Sequence, residues 1–98
     1  MTVYVIGQLE FTDENRYRAY QAAFEGAFAK SGGRLLAADE RPVLMEGDWI
    51  GDKVVLMEFP HERAAAAFMN SPEYRQISKD RKAGADTVGL MVRGVATA

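Results

Sequence analysis

Four ionisable side chains lie near the ends of predicted strands, where antiparallel pairing would bring them together. In the predicted sheet, the start of the first strand lies beside the ends of the third and fourth strands, and the start of the second lies beside the end of the third. These positions hold Tyr4, Arg34, Glu58 and Arg93, which we name the strand-end row. Arginine beside a carboxylate can clamp an anionic ligand or hold an acid poised for proton transfer. The alternative, which we favour, is a row of structural ion pairs, because such pairs also occur without catalysis.

His61 is the only histidine of the chain and follows the predicted third strand at the start of a helix. A neutral imidazole could act as a general base or ligate a haem iron. A helix N-terminus disfavours the imidazolium form, however, and the sequence pattern places no partner beside it. We therefore favour a residue that lies at the surface or caps the helix.

Three further residue types could contribute to a site. Trp49 lies between Gly47 and Gly51 and is either a lid over a pocket or a plug that packs at one end of the barrel. Tryptophan usually anchors packing, which favours the plug. Tyr20 and Tyr74 fall on helix stripes and are predicted to be core or rim residues. Arg81 is expected to pair with a neighbouring acid or to cap its helix end, where the helix dipole favours a cation.

Composition excludes several classes of site. The chain has no cysteine and one histidine, so a zinc site would need mostly carboxylates. The common phosphate-binding, dinucleotide-binding, nucleophile-elbow and zinc-protease motifs are missing. We predict no metal and no cofactor.

Net charge and hydropathy limit the classes of partner that the sequence predicts. The net charge is −2 and no block of lysine or arginine occurs, so a nucleic-acid partner is not expected. No apolar run approaches the length of a membrane span, and no export signal is visible, so the sequence predicts a cytoplasmic protein without a membrane partner.

The elements that must position these residues form a β-α-β-β-α-β order. The 98 residues are predicted to form one domain over residues 1–98, with 48% apolar residues to build a core. The predicted strands are Val3 to Phe11, Arg34 to Ala38 resuming through Val43 to Glu46, Lys53 to Phe59, and Thr87 to Val95. A first helix begins near Thr12-Asp13-Glu14 and ends at Gly32-Gly33, and later helices cover His61–Asn70 and Pro72–Arg81.

This order is typical of the split βαβ motif, an α+β ferredoxin-like fold. It arranges a four-stranded antiparallel sheet in the spatial order four, one, three, two, with the helices on one face. The other face should be polar, yet the pattern places six largely apolar side chains on it, which are Tyr4, Ile6, Leu36, Val54, Leu56 and Met91. The fully apolar sets, including Val88, Leu90 and Val92 of the fourth strand, are predicted to pack against the helices.

A monomer rarely exposes a large apolar patch, so we predict a homodimer that packs sheet against sheet. The alternative is a monomer with scattered surface hydrophobes, which are common.

Several sequence fragments together resemble one bacterial family. They are Tyr17-x-x-Tyr20, Gly32-Gly33-Arg34-Leu35-Leu36, Leu44-x-Glu46-Gly47-x-Trp49, Val54-Val55-x-x-Glu58-Phe59-Pro60, Ala67-Phe68-Met69-Asn70-Ser71-Pro72-Glu73-Tyr74, and Arg81 before Ala85-Asp86. The chain resembles the domain-of-unknown-function family thirteen-thirty, of the dimeric α/β-barrel (ferredoxin-like) superfamily. It departs from the family at Asp13-Glu14, where a proline is common, and at Val92-Arg93-Gly94, where the family often has Val-Glu-Gly.

The resemblance implies a fold and a dimer but no established reaction. Relatives in the wider superfamily include cofactor-free monooxygenases, isomerase-like enzymes and haem-linked proteins, which is an analogy from fold alone. The first hypothesis is a homodimer with a small-molecule pocket, acting as a cofactor-free enzyme on an organic substrate. The alternative is a non-catalytic dimer that binds a metabolite or serves in assembly, and a haem-linked role is third. Whether the protein is an enzyme is left open.

Overall fold

The computed structural model of the protein describes residues 1–95 of the chain, so the last three residues of the predicted domain lie outside it. Its strands are β1 (Val3–Phe11), β2 (Arg34–Asp39), β3 (Lys53–Phe59) and β4 (Ala85–Arg93), and its helices are α1 (Glu14–Phe28), α2 (Glu62–Met69) and α3 (Pro72–Gly84). The strands form one sheet in the order β2-β3-β1-β4, and each neighbouring pair is antiparallel. The predicted ferredoxin-like α+β fold is confirmed.

Each helix begins at a side chain that accepts a hydrogen bond from its first turn. Asp13 caps α1 by accepting from the Arg16 N–H, and Ser71 caps α3 by accepting from the Tyr74 N–H. Pro72 occupies the first turn of α3, where a missing N–H costs nothing. The Ser71 cap and Pro72 explain why α2 and α3 are two helices and not one.

One close contact fixes the two long helices to each other. The Gly84 carbonyl oxygen accepts from the Thr12 and Asp13 N–H groups at 2.9 and 3.1 Å. A Cβ at Gly84 would lie 2.4 Å from the Tyr17 backbone nitrogen, closer than atoms can approach. Only glycine therefore fits where α3 ends against the start of α1.

The structure differs from the predicted element ends at several places. Residues 43–46 do not resume β2, because the β2–β3 ladder ends at the pair Asp39–Val54 and leaves later residues no strand to bond. Helix α1 ends at Phe28, before the predicted glycine stop, and Gly32 (φ 78°) instead turns the chain into β2. Helix α3 extends to Gly84, three residues beyond Arg81.

The core lies between the helices and one face of the sheet, which we call the helix face. Its largest fully buried side chains are Tyr17, Phe59 and Val3. Val5, Leu9 and Met57 are also buried there, as predicted for strands one and three. Among residues 1–95, no helix is long and apolar enough to cross a membrane.

The predicted faces of β4 were wrong and are exchanged in the structure. Met91 is paired with Val5 on the helix face, whereas Leu90 is paired with Ile6 on the opposite face, which we call the open face. The phase is set by Ala85, which continues directly from α3 and is buried, so that every second residue after it faces the helices.

This exchange makes the open face more apolar than predicted. Val88, Leu90 and Val92 are 56%, 50% and 39% exposed on it. Ile6 of β1 lies between the two outer strands of this surface and is paired with Leu90 on one side and with Leu56 of β3 on the other. A continuous apolar surface therefore crosses the centre of the open face.

Candidate functional site

Three members of the strand-end row lie side by side on the open face. Glu58 of β3 is paired with Tyr4 of β1 on one side and with Arg34 of β2 on the other. Arg34 Nη2 and Nε lie 3.0 and 3.1 Å from Glu58 Oε1. The Arg34 side chain is 71% exposed and that of Glu58 25%, so this pair contributes little stability in the single chain.

The placement of Arg93 in this row was wrong. Arg93 is paired with Val3 on the helix face, and its guanidinium donates to the Glu62 carboxylate at the start of α2. Val92 takes its place beside Tyr4. The row therefore contains one cation and one anion that already satisfy each other, which leaves no free charge to clamp a ligand.

His61 serves as the N-cap of α2. Its Nδ1 accepts a hydrogen bond from the Ala64 N–H at 3.0 Å, so Nδ1 must be unprotonated in this arrangement. This matches the capping role that the sequence favoured. Trp49 lies over Gly51, where a Cβ would come 2.3 Å from Trp49 Cζ2, so it packs on its own loop.

The helices and the helix face line a partly open cavity of about 230 Å³, which we call the helix-side cavity. Apolar side chains of β1, β3 and α2 supply much of its wall, including Val5, Met57 and Met69. Gly89 of the edge strand β4 also lines the cavity. Concave, mostly apolar spaces of this kind are the usual places for small-molecule binding.

Two glycines form the floor of this cavity. Gly7 and Gly89 are directly paired across β1 and β4, and both belong to the helix face. A Cβ added at Gly89 would meet no atom within 4 Å, and one at Gly7 would make only ordinary contacts. Glycine is therefore not required here by crowding or by a positive φ, and its effect is to leave space.

Two polar atoms in the cavity wall have no partner among the described residues. Arg81 Nε and Thr87 Oγ1 are both buried and form no hydrogen bond. A buried polar group without a partner is uncommon, because its desolvation is uncompensated. The expected local acid partner of Arg81 is not found among residues 1–95.

Two tyrosines, Tyr20 and Tyr74, line the same cavity. Tyr20 Oη and Tyr74 Oη are 3.0 Å apart and hydrogen-bonded, and both side chains are buried. Burial, followed by the neighbouring Tyr74, raises the pKa of the Tyr20 phenol well above its usual range. Tyr20 therefore stays protonated at neutral pH, and the pair has one O–H left to donate outside itself.

A second opening, the edge cleft, lies between α1 and β2 and has a volume of about 420 Å³. It shares Tyr17, Tyr20 and Val55 with the helix-side cavity. Lys53 lines the edge cleft and is 4% exposed, and burial lowers the pKa of its ammonium group. Its Nζ lies 3.7 Å from Glu40 Oε2 and 5.0 Å from the Tyr17 ring centroid.

Glu40 is also held by Arg18, whose two Nη atoms lie 2.6 and 2.7 Å from its oxygens. The Arg18 hydrogen bonds lower the pKa of the Glu40 carboxyl. Lys53, Glu40 and Arg18 therefore form a satisfied charge cluster. Within residues 1–95, no group of three or more histidine, aspartate or glutamate side chains is placed to hold a metal.

Sequence reasoning missed the helix-side cavity and the buried Lys53. Tyr20, Tyr74 and Arg81 were noted but assigned ordinary structural roles. The one available signal was a glycine inside each of two strands, at Gly7 and Gly89, where glycine weakens a strand unless space is needed.

Solved structures with the same fold support the architecture. A protein of unknown function from Rhodopseudomonas palustris is 18% identical, with a TM-score of 0.81 over 98% of this chain and 84% of the other. A dimeric ferredoxin-like protein of unknown function from Jannaschia sp. CCS1 is 13% identical, with a TM-score of 0.82 over 96% and 100%. SnoaB, a cofactor-independent oxygenase from Streptomyces nogalater, is 13% identical, with a TM-score of 0.70 over 98% and 95%.

No functionally curated protein matches this chain. The sequence profile of the domain of unknown function DUF1330 matches residues 2–95. That match covers nearly the whole chain, and the predicted family is confirmed. The protein is a member of the DUF1330 family.

Proposed function

We propose that this protein is a homodimer that binds a small organic ligand in the helix-side cavity. The observation that carries the proposal is the pair of buried, unpartnered polar atoms, Arg81 Nε and Thr87 Oγ1, in an otherwise largely apolar wall. Leaving such groups unsatisfied costs about 1–3 kcal/mol each. A ligand with hydrogen-bond acceptors would recover that cost on binding.

The glycine floor supports the same proposal. Gly7 and Gly89 keep the centre of the helix face free of side chains, although two central glycines weaken the strands. The cavity is partly open to solvent, which leaves a route for a ligand. The cavity thus has space, polar groups and access.

The homodimer is supported by the apolar open face and by relatives. Leu90, Val92 and Leu56 belong to a surface that the helices do not cover. Structures with this fold from Jannaschia, Bacteroides fragilis and Thermobifida fusca are described as dimeric. We infer that two copies pack these faces together, burying at least about 1,200 Å² in total.

A cofactor-free enzyme on an organic substrate is the catalytic form of this proposal. SnoaB is described as a cofactor-independent oxygenase and has the same fold, which is an analogy and not a shared site. Tyr20 offers a hydrogen-bond donor but no base at neutral pH, because burial raises the pKa of its phenol. Ligand binding therefore has more support than any particular reaction, and a non-catalytic metabolite-binding dimer is the second candidate.

The ligand proposal is tested by filling the cavity from its floor. Gly89→Leu would place a side chain in the open space above β4, whereas Gly26→Leu adds the same atoms on α1, where a Cβ also meets nothing within 4 Å. Small aromatic fragments (phenol, benzamide and benzoate) are titrated against ¹⁵N-labelled protein by NMR.

We expect at least one fragment to shift the amide signals of Gly7, Thr87 and Gly89. Gly89→Leu should abolish these shifts, and Gly26→Leu should keep them. If no fragment shifts these signals, or if Gly89→Leu binds as the wild type does, the proposed ligand site is wrong.

A further inference from the structure

We propose that Arg81 anchors the ligand and that the ligand is a small organic anion, such as a monocarboxylate with an apolar body. This inference rests on the proposed function, since it names the ligand class of the same cavity. It is carried by the charge of the cavity wall and by the hydrogen-bonding state of Arg81.

The first observation is that Arg81 differs from the other arginines. Arg16, Arg18, Arg34 and Arg93 each form an ion pair with a carboxylate. Arg41, Arg63 and Arg75 are exposed and can be hydrated. Arg81 is half-buried, has a buried Nε without a partner, and forms no ion pair among residues 1–95.

The second observation is that no carboxylate of residues 1–95 lines the helix-side cavity. Among the described residues, Arg81 is the only charged one in the wall, because the other polar residues are two hydrogen-bonded phenols, the Tyr17 phenol and the Thr87 hydroxyl. A guanidinium is charged at every pH that the fold meets, so Arg81 gives the cavity wall a positive charge that no carboxylate among residues 1–95 pairs with. An anion would neutralise that charge and accept from Nε in one contact.

The third observation is that the remaining polar groups also suit an acceptor. The pKa of Tyr17 is raised to about 12, chiefly by burial, so this phenol stays protonated at neutral pH. The Tyr20–Tyr74 pair has one O–H to spare, and Thr87 Oγ1 can donate as well. A carboxylate is acceptor-only and matches such a set of donors.

The size and polarity of the cavity narrow the ligand further. Its volume is about 230 Å³, and the side chains beyond the polar groups are apolar, including Val5, Leu9 and Met57. A compact ring or a short aliphatic chain bearing one carboxylate fits this description. A phosphorylated or highly charged metabolite does not fit, because the described part of the chain supplies one cation, Arg81, to the wall.

Benzoate and benzamide test this inference, because they share a ring and nearly the same shape but differ in charge. Both are titrated by NMR against the wild type, Arg81→Gln and Lys82→Gln. Lys82 is the matched control, since it is the exposed neighbour of Arg81 in the last turn of α3 and loses the same charge.

We expect the wild type to bind benzoate about tenfold more tightly than benzamide, as a charge-assisted hydrogen bond allows. Arg81→Gln should remove that preference, and Lys82→Gln should retain it. Equal binding of the two probes by the wild type, or a preference that survives Arg81→Gln, would overturn the anion inference and leave the cavity as a ligand site. If the wild type binds neither benzoate nor benzamide, the proposed function itself is contradicted.

Discussion

Gly7 and Gly89 face each other across β1 and β4, and their missing side chains open the space beneath Tyr20 and Tyr74. The two faces of the sheet have different proposed roles. The helix face carries the cavity, and the open face carries the apolar surface that we assign to the dimer. A substitution at Gly89 should therefore alter ligand binding without touching the dimer contact.

The first prediction is that Gly89→Ala stabilises the fold and weakens the ligand site. Alanine reduces the entropy of the unfolded chain, and its Cβ enters open space, so the free energy of unfolding should rise by about 0.5–1 kcal/mol. Urea denaturation measures this change. Gly26→Ala on α1 should stabilise similarly but leave fragment binding intact, so a loss of stability in Gly89→Ala would contradict the open floor.

The second prediction concerns the contact between α3 and α1. Gly84→Ala should lower the free energy of unfolding by about 1–3 kcal/mol, because its Cβ would overlap the Tyr17 backbone. Relief of this overlap would lengthen the hydrogen bonds that the Thr12 and Asp13 N–H groups donate to the Gly84 carbonyl oxygen. Thermal melting of this variant beside Gly26→Ala isolates the crowding from a general effect of alanine. Equal melting temperatures for Gly84→Ala and the wild type would show that the two helices can separate without cost.

The third prediction is a loss of stability in alkali that depends on Tyr17. The pKa of Tyr17 is raised from 10.0 to about 12, chiefly by burial, so the folded state holds this proton more tightly than the unfolded state. The resulting stabilisation is fully present below pH 10 and is lost as pH rises from 10 to about 12. Two pKa units correspond to about 3 kcal/mol.

Urea denaturation of the wild type and Tyr17→Phe across this pH range checks the effect. Phenylalanine keeps the ring and removes the ionisation, so its free energy of unfolding should depend less steeply on pH. Parallel pH profiles for the two proteins would rule out Tyr17 as a source of the alkaline loss.

The fourth prediction tests the open face. Leu90→Glu places a charge in the centre of the proposed dimer contact, where it would be buried without a partner. Light scattering should then report a mass near the 10.8 kDa of one chain, whereas the wild type should report twice that mass. Val43→Glu is the control, because Val43 is 81% exposed and lies outside the sheet. A wild-type monomer, or a Leu90→Glu dimer, would exclude this face as the interface.

The sequence by itself determined the order of the elements and much of the sheet. Asp13, Ser71 and Pro72 are local caps, so the helix starts could be placed without tertiary information. Antiparallel order then brought Arg34 and Glu58 together, because the pairing of strand ends follows from topology alone. In β1, the polar residues Gln8 and Glu10 marked the face that points away from the helices.

Tertiary structure decided the phase of β4 and the existence of the cavity. Arg93 misled the assignment of faces, because a long side chain at the end of an edge strand can reach Glu62 while it remains on the helix face. The cavity draws its residues from β1, β3, β4 and all three helices, which no short-range pattern connects. Gly7 and Gly89 could each be seen in the sequence, but that they are paired is a property of the folded sheet, because β1 and β4 lie at opposite ends of the chain.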